Sequence, residues 1–348
     1  MYERGLEPLL VTGGSGFIGT HVCRQLESQG RPYVILDLHH PDSDLSPSRV
    51  VIGDVRNRAA VVAAMQGCSE VLHLAAAHHD SGIDKETYFA VNKLGTENVV
   101  EVMMESGVKR ICFYSSAAVY TPAKIPATED SLLRPTNSYG ASKLAAEAVL
   151  RSYADAKGLS ALIIRPSVTF GEGNYANMFS LIRQVHRRRY MHVGRSENRK
   201  SLSYVANLVD FTFWAWARHV DGVDVFNWVE APDLTSREIV EVVASELGSP
   251  VSRVAIPLSL ALAAAFPIEL LASIAGVDTP VNRMRIRKLV VDQTQFSAEK
   301  ARNAGFKPRV SLESGLRNMV KWYLSLPQAT PPIRRLPPQV SSLSVDIL

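Results

Sequence analysis

Between Leu9 and Arg165 the chain alternates short, continuous runs of apolar and β-branched residues with longer amphipathic stretches, and no other feature restricts its folding as much. The runs are Leu9–Thr12, Tyr33–Asp37, Arg49–Ile52, Glu70–Leu74, Arg110–Ser115 and Ala161–Arg165. Helical periodicity fills most of the intervals, at Phe17–Gln29, Ala59–Met65, Val91–Ser106 and Tyr139–Lys157. A strand that is apolar along its whole length is buried on both faces, so the pattern predicts a parallel sheet covered by helices on either side. Right-handed crossovers then give a doubly wound α/β fold whose ligand crevice lies outside the carboxyl ends of the strands.

After Arg165 the alternation loosens. Thr235 or Ser236 reads as the cap of a helix running to Leu247, with Glu238 near its start and Gly248 just past its end. Ser311 reads as the cap of a last helix reaching about Tyr323. At 348 residues the chain has room for about two domains. The expected division is residues 1–170 for cofactor binding, with part of 200–228 returning to that unit, and 171–326 mainly as a smaller α/β substrate domain. The proline-rich stretch 327–348 reads as an extended or flexible tail.

Composition removes several classes of function. The formal charge is only +4, with 38 Lys and Arg against 34 Asp and Glu, which does not suit a nucleic-acid partner. Cys23, Cys68 and Cys112 lie far apart, which excludes a disulfide framework and a zinc site, and no metal is assigned. Met1-Tyr2-Glu3-Arg4-Gly5-Leu6 opens without an apolar leader, so a cytoplasmic protein is expected. Ile256–Val277 is the most apolar stretch. Pro257, Pro267 and Glu269 interrupt it, so two short packed helices are expected there rather than membrane insertion.

Gly13, Gly16 and Gly19 follow the first strand and open the first helix at three-residue spacing. Glycines there let a pyrophosphate approach the backbone and the N–H groups of the helix start, and the last one lets helix and sheet pack closely. Asp37 ends the second strand, where a carboxylate accepts from the adenosine ribose hydroxyls and repels a 2′-phosphate. The next residues, Leu38-His39-His40, offer no arginine, so NAD is expected rather than NADP. Asp54, after the third strand, is expected near the adenine.

Tyr139 and Lys143 stand four residues apart, on one face of a helix, and Ser115-Ser116 closes the fifth strand at the crevice. A phenol with an ordinary pKa near 10 becomes a useful base when cations lie beside it, as Lys143 and an oxidised nicotinamide would. Ser116 can orient a substrate oxygen, and Lys143 can also hold a ribose. A Tyr-x-x-x-Lys pair by itself occurs on many helices; the glycine loop and strand-end serine are what give this one meaning.

With these motifs the chain resembles the extended short-chain dehydrogenases/reductases, the NAD-dependent epimerase/dehydratase family, over roughly residues 8–325. The likeness rests on Thr12–Gly19, Asp37, Gly53-Asp54-Val55, His73-Leu74-Ala75-Ala76, Asn92–Thr96, Ser115–Tyr120, Tyr139–Lys143, Arg165-Pro166, Tyr204–Asn207 and Lys300–Pro308. It implies a Rossmann domain, retained NAD and a homodimer. It makes Tyr139 the acid/base, Ser116 its hydroxyl partner and Lys143 the ribose-binding and electrostatic residue. Ala75 would lie under the cofactor and Pro166 beside the nicotinamide. Phe17, Ile18, Val55, Leu74, Ala76, Asn92 and Ser115 would also line the cofactor. On the substrate side it points to Asn177, Lys200 and Arg287, and the charge of a diphosphate adds Arg195 as a candidate.

Two departures narrow the reaction. Dehydratases of the family carry Asp-Glu after the strand-end hydroxyl, where this chain has Ala117-Ala118; alanine transfers no proton, so water elimination is not expected. Relatives commonly carry Asn where Val168 stands, and Val168 cannot hydrogen-bond a substrate diphosphate. The expected function is epimerisation of a nucleoside-diphosphate sugar through a 4-keto intermediate. The alternatives are a 4-ketoreductase, a dehydrogenase of sterol-like alcohols, and a non-catalytic NAD-binding scaffold.

Overall fold

The computed structural model describes residues 7–79, 82–121, 126–251, 255–274, 294–327 and 338–339. In chain order the first half runs β1 (Leu9–Thr12), α1 (Phe17–Ser28), β2 (Tyr33–Asp37), β3 (Arg49–Ile52), α2 (Arg58–Met65), β4 (Glu70–His73), α3 (Lys85–Phe89), α4 (Gly95–Glu105), β5 (Arg110–Tyr114), α5 (Ser138–Lys157) and β6 (Ser160–Pro166). A π-helical turn, Ala90–Leu94, joins α3 to α4, and a 3₁₀ turn, Ala117–Val119, follows β5. The second half runs β7 (Val168–Phe170), α6 (Asn177–His186), β8 (His192–Val193), β9 (Arg199–Lys200), β10 (Leu202–Tyr204), α7 (Val205–Trp216) and β11 (Val223–Trp228). It continues through β12 (Leu234–Thr235), α8 (Ser236–Leu247), β13 (Ala255–Ile256), α9 (Leu258–Ile274), α10 (Glu299–Asn303) and α11 (Leu312–Ser325).

Seven strands form one parallel sheet in the order β11-β6-β5-β4-β1-β2-β3. The order reverses between β1 and β4, so a crevice opens at the carboxyl ends of those two strands. Successive strand residues point to opposite faces, and the core divides accordingly. Leu9, Val11, Ile35, Leu72, Cys112 and Ile164 pack on one side, and Leu10, Val34, Leu36, Val71, Phe113 and Ile163 on the other.

The seventh strand, β11, pairs with β6 from Val223↔Ala161 to Trp228↔Pro166. Its Trp228 is fully buried and stacks on Phe211 of α7 at 4.8 Å, with Phe306 edge-on at 5.0 Å. Asp224 and Asn227 interrupt its apolar pattern, which hides it from a search for continuous apolar runs. The strand ends shift by a residue or so from the sequence expectation, and α11 runs two residues past Tyr323.

The caps fall where hydrogen-bonding chemistry puts them. Thr235 and Glu238 form a reciprocal capping box at α8, which Gly248 closes in a left-handed conformation. Ser311 accepts the N–H of Ser314 at α11. The apolar stretch beyond Pro257 differs from expectation. It forms one helix, α9, with Pro267 inside it, instead of two short packed ones. No helix among the described residues is long and apolar enough to cross a membrane.

Candidate active site

The loop between β1 and α1 is built from close backbone approaches. Gly13 has φ of +73° and its N–H donates to Leu36 O at 2.8 Å. A Cβ on Gly13 would lie 2.7 Å from Ala75 N, and one on Gly19 would lie 2.1 Å from Gly13 O. Both glycines are therefore required by the chain's own packing. Gly16 differs: a Cβ there would meet only Gly13 O, at 3.2 Å. Gly16 also occupies the N-cap of α1 without a side-chain cap. Its missing side chain leaves space outside the protein, in front of unpaired helix N–H groups, and a dinucleotide pyrophosphate fits that cradle.

The floor beside the cradle is the Leu74–Ala77 segment after β4. Leu74 N–H donates to Thr12 O at 3.0 Å, and Ala75 N–H to the Thr12 hydroxyl at 3.3 Å. Below them a buried chain links Thr12 Oγ1 to His73 Nδ1 (2.6 Å) and His73 Nε2 to Thr96 Oγ1 (2.9 Å). Burial, with Lys143 nearby, pushes the His73 imidazole down to about 3, so the ring stays neutral and can bridge two hydroxyls. Asn92 sits in the π-helical turn. Its amide exchanges two hydrogen bonds with the backbone of Ala77 and donates a third to Ser142 Oγ of α5. Asn92 thus positions the floor, having spent its polar atoms within the protein.

Asp37 accepts the N–H of Ser15 on one oxygen and that of His39 on the other, both at 3.0 Å. These bonds hold the carboxylate at the carboxyl end of β2, next to the cradle. Asp54 is bound bidentately by Arg56, and Val55 is buried against Gly95. Phe17 and Ile18 are half-buried at the start of α1.

Ser116 ends the run after β5, and its hydroxyl oxygen accepts the N–H of Ala118, capping the 3₁₀ turn. Tyr139 and Lys143 lie in the first two turns of α5, whose Asn137 cap accepts the N–H of Gly140. A Cβ on Gly140 would fall 2.1 Å from Ala118 O. That glycine draws the start of α5, with Tyr139, against the turn that carries Ser116. It stands inside the Tyr-Gly-Ala-Ser-Lys motif, yet its part in the geometry shows only once the two segments are packed together.

Lys143 is 1% exposed, donates to Tyr114 O at 2.7 Å and stands 4.8 Å above the Phe113 ring. Burial pushes its ammonium down to about 7 while Glu147 pulls the other way. Glu147 and Arg165 form a bidentate ion pair at 2.8 and 2.5 Å, both side chains 1% exposed. The other groups on the pair are the Ser115 hydroxyl, which donates to Glu147 at 2.5 Å, and Tyr120, whose hydroxyl accepts from Arg165 at 2.6 Å. Ser115 therefore serves this network beneath the site and not the crevice. Glu147 was missed in the sequence, although its place four residues after Lys143 puts it on the same helix face.

On the substrate side the geometry is looser. Asn177 is the exposed first residue of α6, and Asn174, not Asn177, orders the loop before it by accepting from Ala176 N and donating to Thr169 O. Arg195 is exposed, Lys200 lies half-buried in β9, and Val168 is exposed in β7. Pro166 closes β6 opposite Trp228. Arg287 lies outside the described residues.

Glycine cradle, a carboxylate closing β2 beside it, and a Ser/Tyr/Lys set at the carboxyl edge of a doubly wound sheet together define a dinucleotide-dependent enzyme. A profile described as the NAD dependent epimerase/dehydratase family matches residues 9–228. The chain belongs to that family, and its cofactor is NAD. It is 35% identical over 316 residues, 90% of this chain and 94% of the relative, to N-acetyl-alpha-D-glucosaminyl-diphospho-ditrans,octacis-undecaprenol 4-epimerase of Escherichia coli O157:H7. It is 27% identical to UDP-glucose 4-epimerase of Vibrio cholerae, over 91% of this chain and 95% of that one. The fold is shared with the UDP-glucose 4-epimerase of Thermus thermophilus in its NAD complex, at a TM-score of 0.73 and 23% identity, covering 91% of this chain and 99% of that one.

Proposed function

We propose that the protein is an NAD-dependent 4-epimerase acting on a hexose linked to a diphosphate. The observation that carries this is the packing of Gly140 against Ala118, which brings the start of α5, where Tyr139 lies, against the turn that Ser116 caps. Tyr139 takes the C4 hydroxyl proton, Ser116 holds the same oxygen, and Lys143 grips the ribose and supplies positive charge. Bound NAD would supply a reversible hydride acceptor for C4, so that the overall reaction would be redox-neutral. Ala117 and Ala118 supply no second proton carrier, which disfavours dehydration. Residues 1–170 with Val223–Trp228 form the cofactor unit in this reading, and 171–326 mainly hold the substrate. The working form is a cytoplasmic homodimer.

The diphosphate has two natural carriers, a nucleoside and a lipid, and the relatives named above include one of each. The test offers purified enzyme nucleoside-diphosphate hexoses and lipid-diphosphate hexoses, with and without NADH. The expected result is interconversion of C4 epimers of at least one class without net NADH consumption. Conversion only with stoichiometric NADH consumption would make the enzyme a ketoreductase. Oxidation of apolar alcohols with no turnover of any sugar would overturn the substrate class.

Asp37 carries a separate expectation. A 2′-phosphate placed against its carboxylate is repelled, and each 1.4 kcal/mol of repulsion costs about tenfold in affinity. Fluorescence titration should show NADH binding at least about tenfold more tightly than NADPH, with the gap narrowing in Asp37→Ala. Tighter NADPH binding would remove Asp37 from the ribose site.

A further inference from the structure

The end of β5 is gripped at consecutive residues. Tyr114 O accepts Lys143 Nζ at 2.7 Å, and the Ser115 hydroxyl donates to Glu147 at 2.5 Å. Lys143 and Glu147 stand four residues apart on one face of α5, so a single helix holds both points. The neighbouring strand holds a third, because Ser115 N–H donates to Ile164 O of β6 at 2.8 Å. Ser116 comes next. Its hydroxyl oxygen accepts the N–H of Ala118, and its proton is left to donate.

Glu147 is itself anchored. Arg165 binds both of its oxygens, and Tyr120, which accepts from Arg165, donates on to Asn227 Oδ1 at 2.9 Å. A carboxylate and a guanidinium taken out of water return little net stability, so stability is a poor reason for this buried pair. What the pair does supply is direction. Two parallel bonds fix the carboxylate plane and leave one oxygen aimed at the Ser115 hydroxyl.

The ammonium of Lys143 shows what such an anchor can set. It has three hydrogens. One goes to Tyr114 O, and the other two meet no oxygen or nitrogen acceptor among the described residues. The carbonyl that takes the first decides where the other two point.

We infer that Ser115, backed by Glu147, is a positioning residue: its hydroxyl locks the end of β5 onto α5 and so places both the Ser116 hydroxyl and the Lys143 ammonium. It acts through its two neighbours, Ser116 on one side and the Tyr114 carbonyl on the other. The inference rests on the roles proposed above for Ser116 and Lys143.

The test is Ser115→Ala in the full chain. It removes one hydroxyl and leaves Glu147 paired with Arg165, so the fold should survive. Glu147→Gln would instead strand a buried cation and confuse folding with function. Measured well below the melting temperature, kcat should fall about tenfold, because misplaced groups cost most in the transition state. KM for the diphosphate hexose should stay within about twofold, a split that a merely structural residue would not produce. NADH affinity, by fluorescence titration, should fall about fivefold, the worth of one hydrogen bond less well made. Added to Ser116→Ala, the same change should cost less than about threefold more in kcat, because a hydroxyl already removed cannot be misplaced. Native kcat, native NADH affinity, or the full loss repeated in the Ser116→Ala background would overturn the inference. If the native enzyme turns over no diphosphate hexose, the epimerase reading fails, and the NADH titration alone decides the positioning: weakened binding upholds it and native binding overturns it.

Discussion

A Tyr139→Phe variant is expected to lose about 10²–10⁴-fold in turnover while binding NADH with nearly native affinity. The substitution removes one hydroxyl. The ring keeps its packing near Tyr88, 6.2 Å away, and Gly140 still seats the start of α5 against Ala118. Lys143, held on Tyr114 O, is untouched. What disappears is the group that exchanges a proton with the substrate hydroxyl, so the loss should fall on the chemical step. Steady-state turnover beside an NADH titration separates the two effects. Near-native turnover would take Tyr139 out of the mechanism, and a parallel loss of NADH affinity would mark it as a cofactor residue instead.

Gly16→Val is expected to fold and to lose NAD. At Gly13 or Gly19 a side chain would strike the protein's own backbone, so substitutions there confuse folding with binding. At Gly16 the added Cβ has only Gly13 O close by, at 3.2 Å, and φ is −79°, a value any residue adopts. The branched side chain therefore projects into the space over the α1 N-terminus that a pyrophosphate needs. Isothermal titration with NAD should show no binding at concentrations that saturate the native protein, with thermal unfolding close to native. Native affinity in a folded variant would move the phosphate site elsewhere.

The parts of this protein legible in the sequence are those encoded by local pattern. Continuous apolar strands, the glycines after β1, the capping box at Thr235 and the four-residue step from Tyr139 to Lys143 depend on neighbours a few positions apart, so spacing reveals them. Tertiary structure decided the rest, because it depends on which distant segments touch. Asn92 and Ser115, both expected along the cofactor, turn their polar atoms toward Ala77, Ser142 and Glu147. The buried Glu147–Arg165 pair beneath Lys143 joins residues 18 positions apart. Gly140 is ordinary in a helix until Ala118 O arrives 2.1 Å from its absent Cβ. Helix α9 is the clearest division of this kind. Its apolar composition is plain in the chain, but composition cannot say how such a stretch is arranged; only the fold shows one helix running through Pro267 with Leu260 exposed, because exposure depends on which distant segments reach it.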